Sequence, residues 1–160
     1  MERVFIGILV IGVLAGCSSS RTGPVAVRPT LAAIEDLGLR CGDGVMDNVP
    51  SGLFEWSCAG AVDGARSTVL VDGNDDGVAG ITLVSESTDP ETARRGFAQL
   101  VGTVPPLSTA PVLADALTGW AGPQQVWTLG GVRVFALCDA TQCSVSVVSD
   151  EDPLRPLPLP

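Results

Sequence analysis

Residues 124–149 carry the pattern that most narrows the fold. QQVWTL and VRVFALC flank Gly130-Gly131, and CSVSVVS follows after Asp139-Ala140-Thr141-Gln142. Apolar residues alternate along each run, which is the signature of a strand with one buried face. Two glycines between such runs admit the positive φ values of a tight hairpin turn. Three antiparallel strands are therefore predicted in the last third of the chain. The same pattern occurs upstream in LFEWSCA (53–59), RSTVLVD (66–72) and VAGITLVSES (78–87). The latter two are separated by Gly73-Asn74-Asp75-Asp76-Gly77.

Helical periodicity fills the intervals. Thr30 is a candidate cap for LAAIEDL, with Leu31, Ile34 and Leu37 on one side and Gly38 ending it. Asp89-Pro90-Glu91 combines a cap residue, a proline suited to the first helical position and an acid near the positive helix end. Ala93, Phe97, Leu100 and Val101 form that helix's apolar stripe, and Gly102 with Pro105-Pro106 is expected to stop it. A further helix is expected from Ser108 or Thr109, with Val112, Leu113, Ala116, Leu117 and Trp120 facing inward. Cys41 to Ser51 reads as loop. The order is α-βββ-αα-βββ. Short links favour antiparallel pairing, so the fold class is α+β, an antiparallel sheet of about six strands with helices on one face.

The N-terminus reads as an export signal. Arg3 and the free amine precede the apolar run Val4–Val13, and Leu14-Ala15-Gly16-Cys17 follows at once. About ten apolar residues are too few to span a bilayer, which takes roughly 20. The tetrapeptide resembles the lipobox of bacterial lipoproteins. That resemblance implies cleavage before Cys17 and acylation of Cys17, with residues 1–16 as signal peptide. The chain would then be anchored at the extracytoplasmic face of the cell membrane. Ser18 is not the aspartate that would suggest inner-membrane retention in a two-membrane cell. Residues 17–29 are expected to form a lipidated, mobile tether and 30–149 a single domain. Residues 150–160, DEDPLRPLPLP, form a proline-rich tail expected to be extended or disordered.

Export bears on the remaining cysteines, Cys41, Cys58, Cys138 and Cys143. An even number in an oxidising compartment reads as two disulfides. Of the three connectivities, Cys41–Cys58 with Cys138–Cys143 is favoured because both pairs are local. A four-thiolate zinc site would want paired CxxC spacing, which is absent.

Leu37-Gly38-Leu39-Arg40-Cys41, Trp56-Ser57-Cys58 and Trp120 before a final hairpin together resemble a group of small, uncharacterised lipoproteins exported by high-GC Gram-positive bacteria. The likeness spans about residues 30–149 and implies no activity.

Composition narrows function further. All nine basic residues are arginine, set against eighteen acids, for a net charge of −9, and there is no histidine, lysine or tyrosine. Histidine triads, histidine-ligated metals and Schiff-base lysines cannot be built. The acidic balance argues against nucleic acid as a partner. Asp72, Asn74 and Asp76 match the opening of a calcium loop, but its twelfth position is Leu83 rather than glutamate. Glu55, Glu86 and Asp63 are candidates for the paired carboxylates of a cell-wall hydrolase. The expectation is a non-catalytic module without cofactor, anchored to the membrane through Cys17 and binding a protein or wall ligand.

Overall fold

The computed structural model describes residues 25–46, 52–109, 112–120 and 122–158. The hairpins read from the sequence form where turn chemistry places them. β3 (Phe54–Val62) and β4 (Ala65–Asn74) are joined by Asp63-Gly64, and β4 turns into β5 (Gly77–Ser85) through Asp75-Asp76. β6 (Gln124–Leu129) and β7 (Val132–Cys138) meet at Gly130-Gly131, whose φ values of 54° and 85° suit glycine. β8 (Cys143–Ser149) returns antiparallel beside β7.

Among the described residues the sheet has eight strands, not about six. The segment read as loop contributes β1 (Arg40–Cys41) and β2 (Val45–Met46), both paired with β3. Two-residue strands leave no alternation to read, so their existence rests on the neighbour. Strand order is β1-β3-β4-β5-β8-β7-β6, antiparallel throughout. The β5–β8 pairing fuses the two three-stranded halves, from Gly80↔Val148 to Ser85↔Cys143. Alternation then places Trp56, Cys58, Val69, Val71, Ile81, Leu83, Val145, Val147, Val132 and Val134 on one buried face.

Helices cover that face. α1 (Arg28–Asp36) buries Leu31 and Ile34; α2 (Pro90–Thr103) buries Ala93, Gly96, Phe97, Leu100 and Val101; α3 (Val112–Leu117) buries Leu113 and Leu117. α2 begins as the sequence implies, with Asp89 accepting from the Glu91 and Thr92 amides at 3.2 and 3.0 Å. It runs through Gly102 to Thr103, because a single glycine weakens a packed helix without ending it. Ser108 and Thr109 belong to a separate 3-10 turn, Leu107–Thr109, ahead of α3.

Thr30 does not cap α1. The helix starts two residues earlier, and the Thr30 side chain, 2% exposed, donates its hydroxyl to the Pro105 carbonyl at 2.6 Å. Thr30 therefore ties α1 to the segment that leaves α2. Thr30→Val keeps the shape and removes the donor from a shielded carbonyl. It is expected to cost about 1 kcal/mol in urea unfolding.

Asp89 also sets an acid response. The Thr92 hydroxyl, 2.7 Å away, is the main cause holding its carboxyl below the ordinary 3.8, with the Thr92 and Glu91 amides adding to it. A lowered carboxylate contributes stability that is complete above the unfolded value and lost as pH falls through the folded one. Asp89→Asn retains an acceptor but not the titration. Its melting temperature should therefore decline less than wild type between pH 5 and pH 2 in a calorimetric series; equal slopes would exclude this origin.

Both chain ends depart from expectation. The domain begins before residue 30: Val25–Val27 form a 3-10 turn, and Val27 is fully buried, with its Cγ2 packed on Gly73. A Cβ on Gly73 would lie 2.7 Å from both that atom and the Gly77 carbonyl oxygen. This close approach sits at the bulge after Asp72, so only glycine fits. The proline-rich tail, as far as residue 158, turns at Asp152–Arg155 and then packs back on the domain. The Leu157 amide donates to the Val78 carbonyl at 2.7 Å, and Leu157 is 7% exposed. Prolines bar the tail from the ladder, but not from laying one apolar side chain over the end of the core.

Candidate functional site

The lipidation candidate, Cys17, and the signal and most of the tether lie outside the described residues. The four later cysteines form the favoured pairs. Cys41 faces Cys58 across β1 and β3 with Cα atoms 3.9 Å apart, and Cys138 faces Cys143 across β7 and β8 at 4.0 Å. β4 and β5 separate the two bridges, so the sulfurs do not gather as a zinc site would need.

Asp139 builds the turn at the second bridge. Its Oδ1 accepts from the Thr141 amide and hydroxyl, each at 2.7 Å, and from the Gln142 amide at 2.9 Å. The Thr141 hydroxyl is the main cause that lowers the Asp139 carboxyl, followed by the two amides. The residues read as a plausible turn are thus one held by the Asp139 side chain and by the Asp139 amide bonded to the Gln142 carbonyl at 2.9 Å.

The calcium-loop residues are divided between two tasks. Asn74 pairs with Gly77, and its Oδ1 accepts from the Asp76 amide at 2.9 Å, so its side chain folds back on the hairpin turn. Asp72 stands within β4 beside Gly80 of β5, and Leu83 is a core residue 1% exposed. Among the described residues, no three histidine, cysteine or acidic side chains are placed to hold a metal ion.

Of the proposed hydrolytic acids, Asp63 and Glu86 are each met by an arginine, and Glu55 stands apart. Asp63 takes the Arg95 guanidinium at 2.7 Å, and this contact is the main cause that raises the Arg95 pKa. Glu86 lies 3.8 Å from Arg66. Glu55 is near the opposite end of β3 from Asp63. Eight residue steps along the strand separate them, roughly 26 Å, against about 5–9.5 Å for glycosidase carboxylates. The sequence reading missed another juxtaposition: Glu55 lies directly across from Asp72. The signal was present, because a two-residue Asp63-Gly64 turn sets that register.

The tryptophans divide similarly. Trp56 and Trp120 are 2% and 5% exposed and serve the core, with the Trp120 indole donating to the Gly122 carbonyl at 2.7 Å. Trp127 is half-buried on β6 at the margin of the helical layer.

The face of the sheet turned away from the helices is the remaining candidate surface. Its centre is mixed: the Thr82 hydroxyl bonds the Ser146 hydroxyl at 2.9 Å, and Ser57 and Thr68 share that face with Leu70 and Val84. Its β6–β7 end is apolar, with Val126 47%, Phe135 39% and Leu137 45% exposed. Under the C-terminal strap there is also a cleft of about 290 Å³ lined by Gly131, Ser149, Glu151, Arg155, Pro156 and Pro158. This set of groups can present a mixed polar and apolar surface to a ligand. The chain matches no protein-family model, no curated protein and no solved structure.

Proposed function

We propose that the chain is an extracytoplasmic lipoprotein, held at the cell membrane by acyl groups on Cys17, whose folded part is a non-catalytic binding or envelope-associated module. The observation that carries this reading is the pair of cross-strand disulfides, since such bonds persist in oxidising compartments. Retention follows from acylation, because two or three chains on one residue hold durably where a single chain does not. The uncovered sheet face, mixed in its centre and apolar at β6–β7, supports binding of a protein or wall component. Labelling growing cells with palmitate should mark the wild-type chain and leave Cys17→Ser unmarked, with wild type in the membrane fraction. Equal labelling of the two would overturn the anchor. Thiol counting on denatured, unreduced wild-type protein should find no free thiol apart from that of any unacylated Cys17, and four further reactive thiols would overturn the compartment.

A further inference from the structure

The two edges of the sheet are built differently. At one edge β1 and β2 cover β3 with two rungs each, and the Cys41–Cys58 bridge locks the first of them in place. The other edge is β6, whose six residues include no charge and no proline, the usual guards against strand addition.

The hairpin defines what β6 offers. A two-residue Gly130-Gly131 turn makes Leu129↔Val132 a hydrogen-bonded pair, and such pairs alternate along the ladder. The Cys138 amide bonded to the Pro123 carbonyl at 2.6 Å keeps that phase at the far end. Leu129, Trp127 and Gln125 therefore direct their backbone groups at β7. Gln124, Val126 and Thr128 direct theirs outward, to the open edge.

We propose that this edge joins a second copy of the chain, β6 to β6 antiparallel about a two-fold axis at Val126. In that register Val126 lies opposite its own copy and Gln124 opposite Thr128, so every outward amide and carbonyl of the three residues is paired. Side chains on each face stay on that face, as a continuous sheet requires. Val126 comes up against its own copy, each backed on its own β7 by Phe135, and Trp127 meets Gln125.

Charge does not oppose this occupant at the seam itself. The chain carries −9 overall and repels its copies over most of its surface. β6 itself is uncharged, and the one ionised side chain facing outward on β7, Arg133, is held by Asp150 at 2.8 Å. Two copies can thus approach along β6 without opposing charges, and each supplies the complementary strand.

The test uses the full chain with Cys17→Ser in detergent, so that neither acyl groups nor that thiol contributes. Light scattering across the micromolar range should show a concentration-dependent dimer. Val126→Pro should abolish it with the circular dichroism unchanged, because the amide it removes serves only the outward edge. Val126→Cys should form an intermolecular disulfide on oxidation. Gln124→Cys should not, since the two copies of that residue would stand ~13 Å apart, beyond disulfide reach. A monomer at every concentration would overturn the proposal. So would a dimer that Val126→Pro leaves intact, or equal cross-linking by the two cysteine variants. Should Val126→Pro fail to fold, the cysteine pair decides.

Discussion

Phe97→Ala is expected to lower the stability of the folded chain by about 3–5 kcal/mol. Phe97 is completely buried at the middle of α2 and heads the largest enclosed side chains of the core. The next residue back shows how closely this helix is seated: a Cβ on Gly96 would lie 3.3 Å from both Leu83 of β5 and Val62 of β3. Those strands are held by ladders on both sides, so the sheet cannot sink to fill the space a truncated ring leaves. The loss should accordingly fall near the upper part of the range found for ring truncations. Urea unfolding followed by tryptophan emission would measure it, with an unchanged slope indicating an intact denatured state. Phe135 is the natural comparison, being the same residue type 39% exposed on the outer face. Phe135→Ala should stay within about 0.5 kcal/mol of wild type. Similar losses at the two positions would mean that the helices do not cover the face described.

Removing the Cys41–Cys58 bridge by a double alanine substitution should cost about 3 kcal/mol, because its closure spans 17 residues of the unfolded chain. Removing Cys138–Cys143, with a separation of 5, should cost closer to 2 kcal/mol. Local structure widens the difference. The second bridge closes a turn that Asp139 already organises through its contacts to Thr141 and Gln142. The first holds β1, which has only two rungs on β3. Without it, amide exchange of Arg40 through Met46 should rise well ahead of the rest of the sheet. A larger loss from the shorter bridge would refute the ordering.

Much of this architecture is legible in short stretches of the sequence. The six longer strands, the Gly130-Gly131 turn, the Asp89-Pro90 helix start and both disulfide pairs rest on signals a few residues long. Alternation, turn glycines and capping side chains act through neighbouring backbone, so they survive being read one at a time. The candidate site was harder. Glu55, Asp63 and Glu86 look equivalent in a list of acids, yet β3 carries the first to one end of the sheet, and separate arginines bind the other two. Asp72 and Asn74 look like ligands in a row until one enters the ladder and the other folds back on the turn.

The chain's own order of residues determined its strands, its hairpin registers and which cysteines could meet, because each depends on contacts within a short stretch. Tertiary structure alone decided that β5 joins β8, that Thr30 reaches Pro105 rather than capping its helix, and that Leu157 folds back over the core. It also decided that β6 is left as a bare edge while β1 and β2 cover the other. These outcomes share one physical cause. Each joins segments far apart in the chain, and its gain in burial and hydrogen bonding exists only once the rest of the sheet is in place to offset the lost conformational freedom.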